Sequence, residues 1–221
     1  MLKNIYIPTT IIDGFLDYPE KLRDFALGQE YMPSEEGLWP GIRSKSLYEL
    51  SPLVYNAYIQ KILNIFFLPN QPYNYVAESY FQIISKKYDT GWVHKDSPCL
   101  ITAMLYLTPD ATSGTSLYEK KDIFYNDIEY QEDKVKGNIN VKNNSVAREK
   151  HNKNYDKTLD VKGMFNRLFI FDSAIYHSAH DFFGSDNEES RLTLVTFLND
   201  ITGSFSTPLQ RIKSNTKYTV I

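Results

Sequence analysis

The sequence predicts a mainly β protein with helices in its first third, closed into an antiparallel sandwich or barrel. Three observations predict this. Before Tyr75, apolar residues recur at helical spacing behind capping signals. From Tyr75 onward, runs rich in Ile, Val, Tyr and Phe take over, broken by Gly, Asp, Ser and Pro clusters. No helix of length separates most of those runs, which excludes alternating βα units.

Taken in order, residues 1–16 read as a short strand or two, alternating at Ile5 and Ile7 and again around Ile11-Ile12. Pro19 to Leu27 reads as a helix, with Leu22, Phe25 and Ala26 at helical spacing, Pro19 in the first turn and Gly28 just past the end. Trp39-Pro40-Gly41-Ile42-Arg43-Ser44 reads as turn and loop from its Pro-Gly pair. Ser51 then caps the clearest helix, with Pro52 at its first position and Val54, Tyr58, Ile62 and Ile65 on one stripe. The strand candidates are Val76–Tyr88, Cys99–Thr108, Phe165–Asp172 and Arg191–Asn199. Between Glu119 and Asp160 the chain turns Lys-, Asn- and Asp-rich with few aliphatics, and reads as a long insertion, a cover over a site mouth or a plain surface loop. The whole is expected to be one domain: support in 1–74, a β core in 75–199 carrying the 119–160 insertion, and a tail in 200–221.

Composition narrows the functional classes. The 221 residues are 14% aromatic, which favours a packed globular core over disorder. A net charge of −3 offers no broad basic field for nucleic acid or anionic membrane. Cys99 is the single cysteine, so an intrachain disulfide is excluded and a reducing compartment is expected. With no continuous apolar h-region near Met1 and no stretch able to span a bilayer, the expected location is cytoplasmic. No P-loop, dinucleotide fingerprint or serine nucleophile elbow occurs.

The chemistry concentrates at His94-Lys95-Asp96. A strand directs residues i and i+2 to one face, so His94 and Asp96 can bind one ion together. A third imidazole would complete two His and one carboxylate on one side of the ion, the arrangement of non-haem Fe(II) oxygenases. Of the remaining histidines, His151 lies in the polar insertion, a poor support for a rigid ligand, while His177 and His180 compete.

From about Tyr75 to Asn199 the chain resembles the Fe(II)/2-oxoglutarate-dependent dioxygenases, in particular their prolyl-4-hydroxylase-like branch. Five pieces carry the resemblance in family order: Gly91 to Asp96, Cys99 to Thr108, Gly114 to Tyr118, Asn166 to His177, and Arg191 to Phe197. Short oxygenases of this type are common in phage genomes, where the location would be the host cytoplasm. The resemblance implies a double-stranded β-helix (jelly-roll, cupin-like) core with the N-terminal helices bracing its outer face. It implies His94, Asp96 and His177 as metal ligands, since Phe171 to His177 matches the family's phrasing before the distal His. His180 would then lie behind the ligands or at the surface. It also implies that Arg191, fourteen positions after His177, grips the far carboxylate of 2-oxoglutarate, because a planar guanidinium pairs with a carboxylate through two parallel hydrogen bonds. Thr193, Tyr106 and Thr102 are expected to line the same pocket, although an ordinary core role would also explain Tyr106.

The expected activity is hydroxylation of a C–H bond with Fe(II), 2-oxoglutarate and O2, releasing succinate and CO2. Asp96 leaves no ligand position for chloride, so halogenation is disfavoured. The expected substrate is a peptide or protein side chain or a small molecule, with a nucleic-acid base disfavoured by the charge. Two other classes stand beside this one: a cupin-like metal-dependent hydrolase or isomerase, and a non-catalytic β-sandwich binding module. Two readings are open for Arg43, a reach to the active-site mouth and a structural salt bridge, of which the salt bridge is the expected one, and Cys99 is expected to be a buried strand residue.

Overall fold

A computed structural model describes residues 9–33, 39–67, 73–88, 90–96, 99–109, 112–121 and 145–203. The chain order begins β1 (Thr10–Ile12), α1 (Pro19–Leu27), β2 (Tyr31–Pro33), β3 (Ile42–Ser46), α2 (Leu47–Leu50) and α3 (Pro52–Phe66). It continues with β4 (Tyr73–Ile84), β5 (Ile101–Tyr106) and β6 (Gly114–Lys120). The described chain closes with α4 (Ser145–Asn152), β7 (Tyr155–Lys162), β8 (Leu168–Asp172), β9 (Tyr176–His180) and β10 (Arg191–Gly203).

Among the described residues, ten strands form two antiparallel sheets: a seven-stranded one, ordered β1-β8-β5-β10-β4-β3-β2, and a three-stranded one, ordered β7-β6-β9. Strand alternation then divides the core in two. On the outer face of the large sheet, Ile101, Ala103 and Leu105 of β5 and Leu192 and Leu194 of β10 pack against Tyr58, Ile59, Ile62 and Phe66 of α3. Burying each of the large aliphatic or aromatic side chains stabilises the fold by roughly 1.5–3 kcal/mol. The opposite face presents Met104, Tyr106, Phe169, Phe171 and Val195 to Leu117 and Val161 of the small sheet. The helices therefore brace one face of the large sheet, and the other face meets the small sheet across the interior. This is a double-stranded β-helix. A bulge between Leu198 and Asp200 resets the alternation of β10, so Leu198 and Ile201 both reach the helical side.

Local chemistry explains the helices. Ser51 accepts the Val54 amide at 3.4 Å and Pro52 opens the first turn of α3. Pro19 does the same for α1, which ends at Gly28.

The sequence expectations are revised at three places. Ile42–Ser44 belongs to strand β3 and not to a loop; Gly41, at φ +76°, makes the turn, and the polar Arg-Ser-Lys-Ser composition hides a strand paired with β4. The segment read as insertion, 119–160, contains the end of β6, all of α4 and most of β7. Strand β7 buries only Tyr155 and Val161 of its eight residues, which is why an exposed edge strand reads as polar chain. Residues 122–144, on which the cover would chiefly fall, lie outside the described residues, as do 1–8 and 204–221. Finally, Cys99 is half-buried just ahead of β5, its thiol donating to Asn199 Oδ1 at 3.0 Å.

No helix among the described residues is long and apolar enough to cross a membrane.

Candidate metal and anion site

The segment Gly91–His94 runs alongside β9 and is tied to it by an isolated antiparallel bridge. Gly91 N–H donates to Ala179 O at 2.8 Å, and His94 and His177 exchange both backbone hydrogen bonds, at 3.0 and 2.9 Å. Gly91 is required for this approach, because a Cβ there would lie 2.8 Å from Ser178 Oγ and 2.9 Å from Ala179 O. The pairing sets the two imidazoles side by side, with ring centroids 4.4 Å apart. Two residues on, the Asp96 amide donates to Ser173 O at 3.1 Å, which turns the carboxylate back toward the rings. Its oxygens then lie 3.4 Å from His94 Nε2 and 3.1 Å from His177 Nε2.

Both imidazoles are locked by their other nitrogen. His94 Nδ1 is 2.7 Å from Trp92 O and His177 Nδ1 is 3.0 Å from Ile175 O. A carbonyl oxygen only accepts, so the hydrogen-bond network assigns the proton of each neutral ring to Nδ1 and the lone pair to Nε2. Two lone pairs and a carboxylate thus converge, with one donor atom from each residue lying within 4.8 Å of the others. Such a cluster needs a cation among its members, either a proton or a metal ion. Burial alone would raise the Asp96 carboxyl, but the neighbouring His177 and His94 outweigh it and hold it well below the usual carboxylate range. The Thr102 hydroxyl donates to Asp96 Oδ2 at 2.7 Å and stands 2.9 Å from Ser173 Oγ, so it fixes the carboxylate from behind. Two nitrogens and one carboxylate oxygen on one side suit Fe(II), with the remaining positions open to ligands.

His180 falls on the other face of β9, as its odd separation from His177 requires. It is 2.8 Å from Asp160 Oδ1 and 2.6 Å from Asp181 Oδ2. His151, 3% exposed, places Nε2 2.8 Å from Val93 O. Neither joins the cluster.

A cavity of about 360 Å³ connects this cluster to Arg191. Arg191 is 2% exposed, and no carboxylate pairs with it among the described residues. Its Nη1 donates to Thr193 Oγ1 at 3.4 Å and its Nη2 to Thr115 Oγ1 at 3.5 Å, while Nε has no partner. Burial pushes its pKa down from the ordinary value, with the Tyr106 phenol opposing. Tyr106 lies beneath the guanidinium, 5.4 Å from ring centroid to Cζ, and donates its hydroxyl to Thr115 at 2.9 Å. Thr102, Met104, Thr115 and Arg191 line the cavity, whereas Tyr106 and Thr193, each 1% exposed, support Arg191 from behind. Thr102 touches Asp96 and Met104 touches Arg191, two residues apart on β5. At the rise of a strand that is about 6.6 Å, the scale of a five-carbon dicarboxylate.

Arg43 does not form the expected salt bridge with any described residue. It lines the same cavity, stacked 4.4 Å from the Trp39 ring. Sequence reasoning also missed Thr115 and Ser173. Thr115 was discoverable, because alternation along Gly114–Tyr118 puts it on the face of Leu117.

HygX from Streptomyces hygroscopicus, solved with nickel and 2-oxoglutarate bound, matches with a TM-score of 0.55 at 14% identity, covering 98% of this chain and 90% of that one. A prolyl hydroxylase from Trichoplax adhaerens, in complex with a hypoxia inducible factor oxygen degradation domain peptide fragment, matches with a TM-score of 0.51 at 12% identity, covering 86% and 82%. The likeness is one of fold. No curated protein matches the sequence. The chain belongs to DUF6445, a family of unknown function that matches residues 2–198.

Proposed function

We propose that the protein is an Fe(II)- and 2-oxoglutarate-dependent dioxygenase that hydroxylates a C–H bond of a peptide or protein side chain or of a small molecule. One observation carries the reading: a buried arginine without a carboxylate partner shares a cavity with two imidazole lone pairs and a carboxylate that converge. Leaving a buried cation unpaired costs about 3–5 kcal/mol, a penalty that an anionic ligand relieves. A hydrolase has no need of that clamp. The fold likeness to HygX, which holds nickel and 2-oxoglutarate, supports the same pairing of metal and cosubstrate. The prolyl hydroxylase with its bound peptide supports a peptide side chain as one substrate class.

In this reading His94, Asp96 and His177 hold the iron on one side, and Thr102 keeps the carboxylate turned toward it. Arg191, with Thr115 beside it and Thr193 holding it from behind, takes the far carboxylate of 2-oxoglutarate through two parallel N–H bonds, including the unpartnered Nε–H. Phe171, its ring 4.6 Å from His177, and Val195 exclude water from that wall. Bound iron, 2-oxoglutarate and O2 together supply oxidative decarboxylation to succinate and CO2, coupled to oxygen insertion at the substrate C–H.

The test is anaerobic titration of the metal-free protein with Fe(II) and then 2-oxoglutarate. A visible charge-transfer band should develop and saturate, and admitting O2 should yield succinate. Protein that binds Fe(II) but gives neither band nor succinate is not this enzyme.

A further inference from the structure

Arg43 rises from β3, opposite Gln82 of β4, and lines the same cavity as Arg191. Its Nη2 reaches Gln82 Oε1 only at 3.4 Å, and Nε is buried with no partner. The guanidinium stacks on Trp39 and meets the rings of Phe197 and Tyr80 at 5.6 and 5.9 Å. The Trp39 Nε1–H beside it is also buried and unpartnered. Both side chains line the cavity that also holds the metal cluster, and each carries an N–H that no described residue accepts.

Burial pushes Arg43 down to about 10, with Asp96 and then Tyr80 opposing, so it is charged at neutral pH. Asp96 is the carboxylate that compensates it, and a metal ion would take that charge away. Lys95 and Glu78 also line the cavity, but both are exposed; Lys95 sits over the Tyr176 ring and Glu78 accepts from the Tyr80 hydroxyl. Their opposite charges cancel at the rim. Inside, an iron dication, Asp96, Arg191 and a 2-oxoglutarate dianion sum to zero, which leaves Arg43 as one uncompensated buried positive charge.

Resting on the oxygenase reading above, we infer that Arg43 and the Trp39 indole N–H form a substrate subsite that binds a carboxylate, so the substrate is an acid and not a neutral side chain. A monoanion fits the single residual charge, and the flat guanidinium edge suits two parallel bonds to a carboxylate. The aromatic floor holds the guanidinium plane fixed, so little freedom is lost on binding.

The probes are the twenty free amino acids, each with its primary amide, and the N-acetyl amides of aspartate and glutamate. Binding is measured calorimetrically to the Ni(II)-loaded protein with and without 2-oxoglutarate, after uptake of 2-oxoglutarate itself has been recorded. At least one acid should bind tenfold or more tightly than its amide. Arg43→Gln should abolish that preference, and Arg43→Lys should keep part of it. Preference for a free amino acid identifies an α-carboxylate, whereas preference for an N-acetyl amide identifies an acidic side chain in a peptide. Acids and amides binding alike, no acid binding at all, or a preference that survives in Arg43→Gln overturns the subsite. So does an acid that displaces 2-oxoglutarate, because its carboxylate then sits on Arg191. Failure of the loaded protein to take up 2-oxoglutarate is a separate result and sinks the oxygenase reading.

Discussion

At the scale of single residues, the site turns on two kinds of unsatisfied group, lone pairs that converge and a guanidinium that lacks an anion. Arg191→Ala tests the second. Losing the charged partner of a buried pair costs about 3–5 kcal/mol, so half-saturation by 2-oxoglutarate should rise by roughly two to four orders of magnitude. Fe(II) affinity, measured without 2-oxoglutarate, should change little; equal 2-oxoglutarate dependence in wild type and variant would remove Arg191 from the role. Thr102→Val tests the support of the first kind. It keeps the side-chain volume, removes the 2.7 Å hydrogen bond to Asp96, and should lower Fe(II) affinity about 10–100-fold. Unchanged affinity would mean that Ser173 alone orients the carboxylate. The clustering of His94, Asp96 and His177 was legible because two-residue spacing puts His94 and Asp96 on one side, and the same rule sends His180 to the opposite face from His177. Arg43 was legible only in part: a reach to the site mouth was the lesser of its two readings, because the polar composition of β3 hides the pairing with β4 that turns it inward.

At the scale of elements, helix α4 acts as a brace for the His94 segment. Asn152 accepts the Val93 amide at 2.9 Å and donates to Gly91 O at 3.0 Å, while His151 bonds Val93 O. These contacts bracket the backbone directly before His94. Asn152→Ala removes two of them at once and should reduce Fe(II) affinity about tenfold, the low end for a supporting partner, without loss of β circular dichroism. An unchanged iron titration would show that pairing with β9 suffices to hold His94. Gly91→Ala is more severe, since its Cβ would collide with the β9 backbone and separate the two imidazoles. The long strands and both main helices were readable from period and caps. Strand β7 was not, because it exposes six of its eight residues, and helix α4 was not, because the side chains it buries, Arg148 and His151, are polar: period and hydrophobicity report apolar burial, and neither element has much of it.

At the scale of the whole molecule, helices, large sheet, cavity and small sheet stack in that order, and the two sheets supply different halves of the site. Arg191 and Thr102 stand on the large sheet, while His177 belongs to the small one and His94 is bridged to it. A ligand that spans the cavity therefore ties the sheets together, and its binding energy becomes folding stability. Saturation at 100 times the dissociation constant contributes about 2.7 kcal/mol. For a domain of this size each kcal/mol raises the melting temperature by roughly 2–4 °C, giving an increment of about 5–11 °C. Ni(II) alone should raise the melting temperature by closing the cluster of His94, Asp96 and His177. The cosubstrate alone should do little, because only Arg191 would hold it. Both together should exceed the sum of the separate shifts, since 2-oxoglutarate then bridges the metal on one side and Arg191 on the other. Arg191→Ala should erase that excess and keep the Ni(II) shift. Shifts that merely add, or an excess that persists in the variant, would mean that 2-oxoglutarate does not span the cavity from the metal to Arg191.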